Sequence, residues 1–333
     1  MINLRDNVNL WGPPPSAVEL ASRFEPEWFS RYPGFEGGEL VRALSRRLGI
    51  SEREVTVGCG SDELIDAALG LAEPGSALVH PAPTFAMVPV YARSNRLRSV
   101  PVPFHSAGGF CVDALMRAAY SGGDGLPATI YLCSPNNPTG AAIPAAALRA
   151  VLDRAPGLVI LDCAYAEFCS EPGWVREATR SDRLIVLHTF SKAWGLAGLR
   201  IGYAVGSDLT IARLRAARGP FSLNAVAEHV ATRALELDGD WMRAHARQAA
   251  VNRDRLEHEL RGLGLSPLRS SANFVLLPVP GSERLALRLL ERGILVRAFA
   301  DLPGIGDAIR IGVGPWELLD RLLTALGEVL PCE

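Results

Sequence analysis

The sequence predicts an α/β fold built on a largely parallel, buried sheet, with a second and smaller domain following it. Short apolar runs of strand length and β-branched content, at residues 77–79, 129–133, 158–161, 184–187 and 201–205, alternate with amphipathic stretches. Pro and Gly punctuate the boundaries between them. Runs that stay apolar along their length suit strands covered on both faces, as crossover helices cover a parallel sheet. A chain of 333 residues, 48% of them hydrophobic, is long enough for one large domain and a smaller one, each with its own core.

The opening, residues 7–15, is rich in Asn, Gly and Pro and has no periodicity, so it is expected as an extended arm lying on other surfaces. Residues 61–72 place Leu64, Ile65, Ala68 and Leu69 on one helical face, and residues 145–153 and 209–218 read as further helices. Beyond about residue 220 the texture changes to long Arg- and Glu-bearing amphipathic stretches over 225–263, followed by strand-like runs at 273–278 and 294–298. The expected division is an N-terminal arm contributing to the smaller domain (1–30), a large domain (31–224) and a small C-terminal domain (225–333).

Composition narrows the function. Net charge is -2, from 34 basic and 36 acidic residues, and no basic stretch lacks interspersed apolar or acidic residues, which argues against nucleic acid or an anionic membrane as partner and for a small molecule. No apolar run reaches 18 residues and the N-terminus is polar, so neither a membrane span nor a signal peptide is expected, and the cytoplasm is the expected location. The six cysteines (Cys59, Cys111, Cys133, Cys163, Cys169, Cys332) form no C-x-x-C pair, and the histidines show no H-E-x-x-H spacing, so no disulfide framework or metal site is expected. Lys192 is the only lysine; the other 33 basic residues are arginine. A guanidinium stays protonated and forms no imine with an aldehyde, whereas an amine of lowered pKa does so readily. Lys192 is therefore a candidate for amine chemistry, with arginine-biased coding as the alternative origin of its isolation.

Three segments are candidates to converge at the carboxyl ends of the strands, where open α/β sheets bind ligands. One apolar run ends in Asp162, with Tyr165 three residues later; another leads into Ser191-Lys192 and then Gly195-Leu196-Ala197-Gly198 and Arg200; a third runs into Ser134-Pro135-Asn136-Asn137-Pro138-Thr139-Gly140, a constrained turn whose Asn amides are expected to face outward. Singly, a strand-end Asp also serves as a helix cap, and such a turn also serves as only a turn.

Together, Ser134–Gly140, Asp162-Cys163-Ala164-Tyr165 and Ser191-Lys192 through Gly198-Leu199-Arg200 resemble the fold type I pyridoxal-phosphate aminotransferases of class I/II, and most of all their histidinol-phosphate branch. Tyr32-Pro33, Gly60-Ser61-Asp62-Glu63, Pro83-Thr84-Phe85, Ala272-Asn273-Phe274, Arg297 and Arg310 extend the match in order over nearly the whole chain. The resemblance implies a large domain with a mostly parallel seven-stranded sheet, a smaller α+β domain at the C-terminus, and pyridoxal 5'-phosphate as cofactor. It implies that Lys192 holds the cofactor as a Schiff base and moves the substrate's proton, that Asp162 pairs with the pyridinium nitrogen, and that Asn137 and Tyr165 bond the ring oxygen. Phe85 falls where an aromatic stacks on the ring. Gly60, Ser61 and Asp62 open a helix whose N–H groups suit the phosphate, and Ser191 and Arg200 fall where the family adds a hydroxyl and a guanidinium. Tyr32 falls where a tyrosine arrives from the second subunit of a homodimer.

Trp11, Tyr32, Asn137, Arg297 and Arg310 are the implied substrate contacts. The apolar flanks of Arg297 and Arg310 predict that both are buried and await an anion. The chain departs from the family at Cys163 (usual D-E-A-Y), at Leu10 and Trp11 (usual N-P-Y-G) and at Phe85 (usual P-T-Y). The expected activity is amino transfer between glutamate and a phosphorylated or aromatic compound, small molecules serving as amino donor and as keto or aldehyde acceptor. Its opening, residues 7–14, also resembles the L-threonine-O-3-phosphate decarboxylases, a sister branch with the same cofactor. A cofactor-binding protein without catalysis is the remaining alternative.

Overall fold

In the computed structural model, residues 1–104, 110–121, 125–169 and 174–330 are described. The strands are β1 (Ile2–Asn3), β2 (Val55–Gly58), β3 (Ala77–Ala82), β4 (Arg98–Pro103), β5 (Thr129–Cys133) and β6 (Val159–Asp162), then β7 (Leu184–Thr189), β8 (Gly202–Val205), β9 (Phe274–Pro278), β10 (Ile294–Leu295), β11 (Arg297–Leu302) and β12 (Gly306–Gly312). Seven of them form one sheet in the order β2-β8-β7-β6-β5-β3-β4. Within it β8 runs antiparallel to both its neighbours, and the remaining pairs are parallel.

The five apolar runs became the five inner strands, and the period-2 geometry of a strand explains why they lack polar positions. Ile160, Ile185 and Leu187 point to one face and pack with Leu64, Ile65 and Leu69 of the helix Gly60–Leu69. Val159, Leu161 and Val186 point to the other face, into the cluster that continues to the small domain. Both edge strands escape the sequence reading for physical reasons. β2 has only four residues, and β4 (Arg-Ser-Val-Pro-Val-Pro) contains two prolines and is largely uncovered, a composition tolerated only at an edge.

The amphipathic stretch over 225–263 is two helices, Ala225–Leu237 and Gly239–Gly262, divided at Asp238, whose carboxylate accepts bonds from the backbone and hydroxyl of Ser16. Ala225–Leu237 is capped by Asn224 (2.8 Å to the Ala227 N–H) and packs on the helices Gly38–Leu48 and Pro15–Ala21. A three-stranded antiparallel sheet, β11-β12-β9, follows. The expected strand at 294–298 splits at Val296: β10 pairs with β1, and β11 pairs with β12. The arm therefore starts as a strand on the small domain. Its Leu4 carbonyl accepts the Gly312 N–H at 2.7 Å, and from there the arm crosses to the ends of the large sheet.

Ile160 is fully buried between sheet and helix, so Ile160→Ala should lower stability by about 2–5 kcal/mol. The exposed Leu287 is the control, its truncation costing about 0.5 kcal/mol or less. Urea midpoints at unchanged slope measure both.

Candidate active site

β5, β6 and β7 are paired in parallel, Cys133 opposite Asp162 and Asp162 opposite Leu187, so the segments that follow them leave the sheet side by side. A cavity of about 530 Å³ opens there, reached by Asn137, Asp162, Tyr165 and Lys192 from the large sheet, Arg310 from β12 and residues 5–8 of the arm.

Asp162 is 4% exposed at the end of β6. Its Oδ2 accepts the Tyr131 hydroxyl at 2.8 Å and its Oδ1 the Ala164 N–H at 3.0 Å. Burial pushes its pKa up to about 6, against the lowering effect of those two bonds. Lys192 is half-buried and donates from Nζ to the Asp6 carbonyl at 3.3 Å, 5.8 Å from the centre of the Tyr165 ring. Desolvation first, and then the nearby Arg310 guanidinium, bring its pKa down to about 8. Tyr165 is buried edge-on against Phe274 (5.1 Å), its oxygen accepts from Asn7 Nδ2 at 3.3 Å, and burial pushes its hydroxyl up to about 12.

At the far end of the cavity the helix Gly60–Leu69 points its N-terminus inward, and Cys59 at the cap position offers no side-chain acceptor to its free N–H groups. Gly60 (φ +79°) takes a left-handed conformation that other residues disfavour, with Arg200 Nη2 2.7 Å from where a Cβ would lie; a Cβ on Gly202 would lie 2.6 Å from Ser61 N. Arg200 bonds Asp62 at 2.9 Å and reaches Ser191 Oγ at 3.5 Å. Ser191 is in turn bonded by Thr189 Oγ1 at 3.0 Å. This is a cradle for an anion: orphan amides at a helix N-terminus, a hydroxyl and a guanidinium.

Of the two Asn amides in the Ser134–Gly140 turn, only one faces outward. Asn136 is buried, bonding Pro83 O and Thr139 Oγ1 and accepting from Thr84 Oγ1, while the Asn137 Oδ1 faces the cavity and accepts from Arg310 Nη1. Arg310 is 9% exposed, its Nη2 bonds the Arg5 carbonyl at 2.7 Å, and its Nε has no partner. Arg297, expected to be buried too, is exposed. It stands directly opposite Arg310, but on β11, the edge strand of the small sheet. Phe85 lines the cavity beside Thr84.

Trp11 and Tyr32 are not brought to the cavity within this chain. Trp11 packs 5.6 Å from His245, and Tyr32, 81% exposed, stacks on Phe221 at 4.8 Å. Sequence reasoning missed Tyr131, Arg5, Asp6 and the role of Asn7. Only Tyr131 left a signal: a hydroxyl inside a wholly apolar strand has to be bonded to something.

The donor set fits pyridoxal phosphate. The only lysine has a pKa within reach of neutrality, and it lines one cavity with a buried carboxylate, Asp162, and with Ser61, Asp62, Ser191 and Arg200, which suit a phosphate. Among the described residues no group of three or more His, Cys, Asp or Glu could hold a metal ion, and no helix is long and apolar enough to cross a membrane.

The family model for aminotransferase class I and II matches residues 1–326. The histidinol-phosphate aminotransferase of Dehalococcoides mccartyi is 36% identical over 335 residues, covering 99% of this chain and 90% of that protein. The solved histidinol-phosphate aminotransferase of Sinorhizobium meliloti, in complex with pyridoxal-5'-phosphate, superposes with a TM-score of 0.87 at 28% identity, covering 98% of this chain and 90% of that one. The L-threonine-O-3-phosphate decarboxylase of Porphyromonas gingivalis shares the fold (TM-score 0.84, 22% identity, 98% of this chain and 99% of that one). The chain belongs to the class I and II aminotransferases, of fold type I, and its cofactor is pyridoxal 5'-phosphate.

Proposed function

We propose that this enzyme transfers an amino group between glutamate and a phosphorylated or aromatic amino compound, with histidinol phosphate as its characteristic substrate. The observation that carries the reading is Lys192, pKa about 8, facing Arg310 in a cavity that also holds the buried Asp162. Relatives at 32% to 37% identity that bear the histidinol-phosphate aminotransferase name support the substrate class.

Bound pyridoxal phosphate supplies the electron sink for the pair released when a bond to the substrate Cα breaks. Lys192 would hold it through its amine and, once released, would move the substrate's Cα proton. Asp162 would hold the ring nitrogen, and a cation beside it would offset the burial effect and keep the carboxylate ionised. Asn137 and Tyr165 would hold the ring oxygen, and Phe85 would pack against the ring. Gly60, Ser61, Asp62, Ser191 and Arg200 hold the phosphate. Arg310 would fix the carboxylate of glutamate so that Cα–H aligns with the π system, and Arg297 would meet a distal anion.

Tyr32 completes the site from the partner in a homodimer. In support, Tyr32, Phe35 and Phe221 form an exposed aromatic patch through ring contacts with one another. Trp11 joins the substrate side in that assembly. Among the described residues Cys59, Cys111, Cys133 and Cys163 are thiols, which fits a reducing cytoplasm.

The reading is tested by adding glutamate to the holoenzyme. The visible band of the bound cofactor should shift and 2-oxoglutarate should appear, with histidinol phosphate or an aromatic amino acid as counterpart. Carbon dioxide from phosphothreonine without keto acid from glutamate would make the enzyme a decarboxylase, and no response to any amine would make it a cofactor-binding protein without catalysis.

Borohydride reduction should leave the pyridoxyl group on the Lys192 peptide. Capture of the aldehyde by the apoenzyme should rise with pH around a midpoint near 8, where roughly half the amine is free, rather than near the ordinary lysine value of about 10.4. Label recovered only at the N-terminal amine would refute the assignment.

Asp162→Asn should separate stability from activity. The folded pKa of about 6 lies above the carboxylate's ordinary value, so the wild-type apoenzyme loses stability as pH rises from 4 to 6, by about 3 kcal/mol at most. The Asn variant avoids that loss. Its apoenzyme should melt no lower than wild type at pH 7.5 and converge with it below pH 4, while its holoenzyme should turn over slower by orders of magnitude.

A further inference from the structure

The proposed reading assigns Arg297 and Arg310 to substrate anions and Arg200 to the cofactor phosphate, yet a fourth arginine lines the same cavity. Arg5 stands on the arm, and its backbone is clamped from both sides: its N–H donates to Asn3 Oδ1 at 3.0 Å, and its carbonyl accepts from Arg310 Nη2 at 2.7 Å. One residue earlier Leu4 is bonded to Gly312, and β1 is paired with β10. The Arg5 Cα is thereby held at the cavity rim by the small domain.

The side chain is far less committed than the backbone. Its Nε meets Asp6 at 3.2 Å, a half-exposed contact between adjacent residues, and neither terminal nitrogen has a partner among the described residues. Arg297 has no carboxylate partner there either. Its guanidinium lies 5.7 Å from the centre of the Phe299 ring, and that of Arg310 lies 5.8 Å from the same ring. Three guanidiniums and one carboxylate, Asp6, leave this side of the cavity strongly cationic. Like charges lining one cavity repel unless an anion comes between them.

We propose that Arg5 is a specificity-determining residue. With Arg297 it forms a two-guanidinium clamp for a distal dianion, a phosphate monoester, on the amino substrate. The inference rests on the substrate reading above and extends it. A single guanidinium matches one carboxylate, whereas the three terminal oxygens and double charge of a phosphate monoester engage two forks at once. Asp6 occupies Arg5 Nε and leaves the terminal nitrogens to the ligand.

The test compares wild type, Arg5→Gln and Arg5→Lys as holoenzymes, with histidinol phosphate and glutamate as alternative donors and inorganic phosphate as competitor. In Arg5→Gln the ratio of kcat/KM for histidinol phosphate to that for glutamate should fall by roughly ten- to a hundredfold, the scale of a lost charged hydrogen bond. The loss should sit in KM rather than kcat. The inhibition constant of phosphate should rise in parallel, and Arg5→Lys should fall between. An unchanged ratio with unchanged phosphate inhibition overturns the role of Arg5. If wild type does not use histidinol phosphate, the substrate reading fails by itself, and Arg5 is then judged by phosphate inhibition of the glutamate half-reaction: weakened in Arg5→Gln it stands, unchanged it falls.

Discussion

Because β5, β6 and β7 pair in parallel, the three loops that follow them leave the sheet at one end, and from there Asn137, Asp162, Tyr165 and Lys192 reach the cavity. The pairing holds Asp162 opposite Cys133 and Leu187. Tyr131, two residues before Cys133 on the neighbouring strand, is thereby set to bond the Asp162 carboxylate. The antiparallel strand β8 adds the other constraint. Gly202 comes so close to the backbone of Gly60 and Ser61 that no Cβ fits, which brings the helix N-terminus up to the sheet. A sheet with one strand reversed and one glycine at the contact thus sets both ends of the cavity.

The second domain reaches this end of the sheet through main-chain atoms of the arm. Two adjacent carbonyls, those of Arg5 and Asp6, accept from Arg310 of the small sheet and Lys192 of the large one. Asn7 continues the seam: its side chain bonds Tyr165, and its carbonyl accepts from Asn273 Nδ2 at 3.1 Å. Main-chain carbonyls suit this position because they bind cations without adding charge. A carboxylate in their place would stabilise the ammonium form and move Lys192 away from neutrality. Arg310 works in the opposite direction, its charge adding to desolvation in lowering the Lys192 pKa. The guanidinium that faces the cavity from the small sheet therefore also conditions the amine.

What was legible in the sequence follows the same division. The inner strands were readable because burial on both faces removes polar residues, and β5 coincides with its apolar run at residues 129–133. The edge strands were not, since a strand covered on one side and interrupted by Pro101 and Pro103 loses that signature. Asp162, Lys192 and Asn137 were legible because they terminate apolar runs and stand in motifs. The burial of Arg297 was misjudged, for apolar flanks are shared by a central and an edge strand, and only the sheet order distinguishes them. Arg5 and Asp6 left no local signal at all. Their place in the cavity depends on β1 pairing with β10, nearly the whole chain away.

The arginine-rich composition has a structural use that bears on the single lysine. Arg218 bonds Glu63 through two nitrogens and the Val57 carbonyl through one of them; Arg215 spans the carbonyls of Glu52 and Val55 at 2.9 and 2.8 Å; Arg183 reaches Ala155 O at 2.7 Å. A planar fork serves several fixed acceptors at once, which a compact ammonium on a flexible stem does poorly. Guanidiniums also remain charged when half-buried, so these contacts persist across the pH range in which an amine near pH 8 changes state. With structural cation sites filled by arginine, the cavity's amine is the only side-chain amine in the chain. An aldehyde entering the protein then has one side chain with which it can form an imine, and that side chain lies between the carboxylate at the end of β6 and the guanidinium on β12.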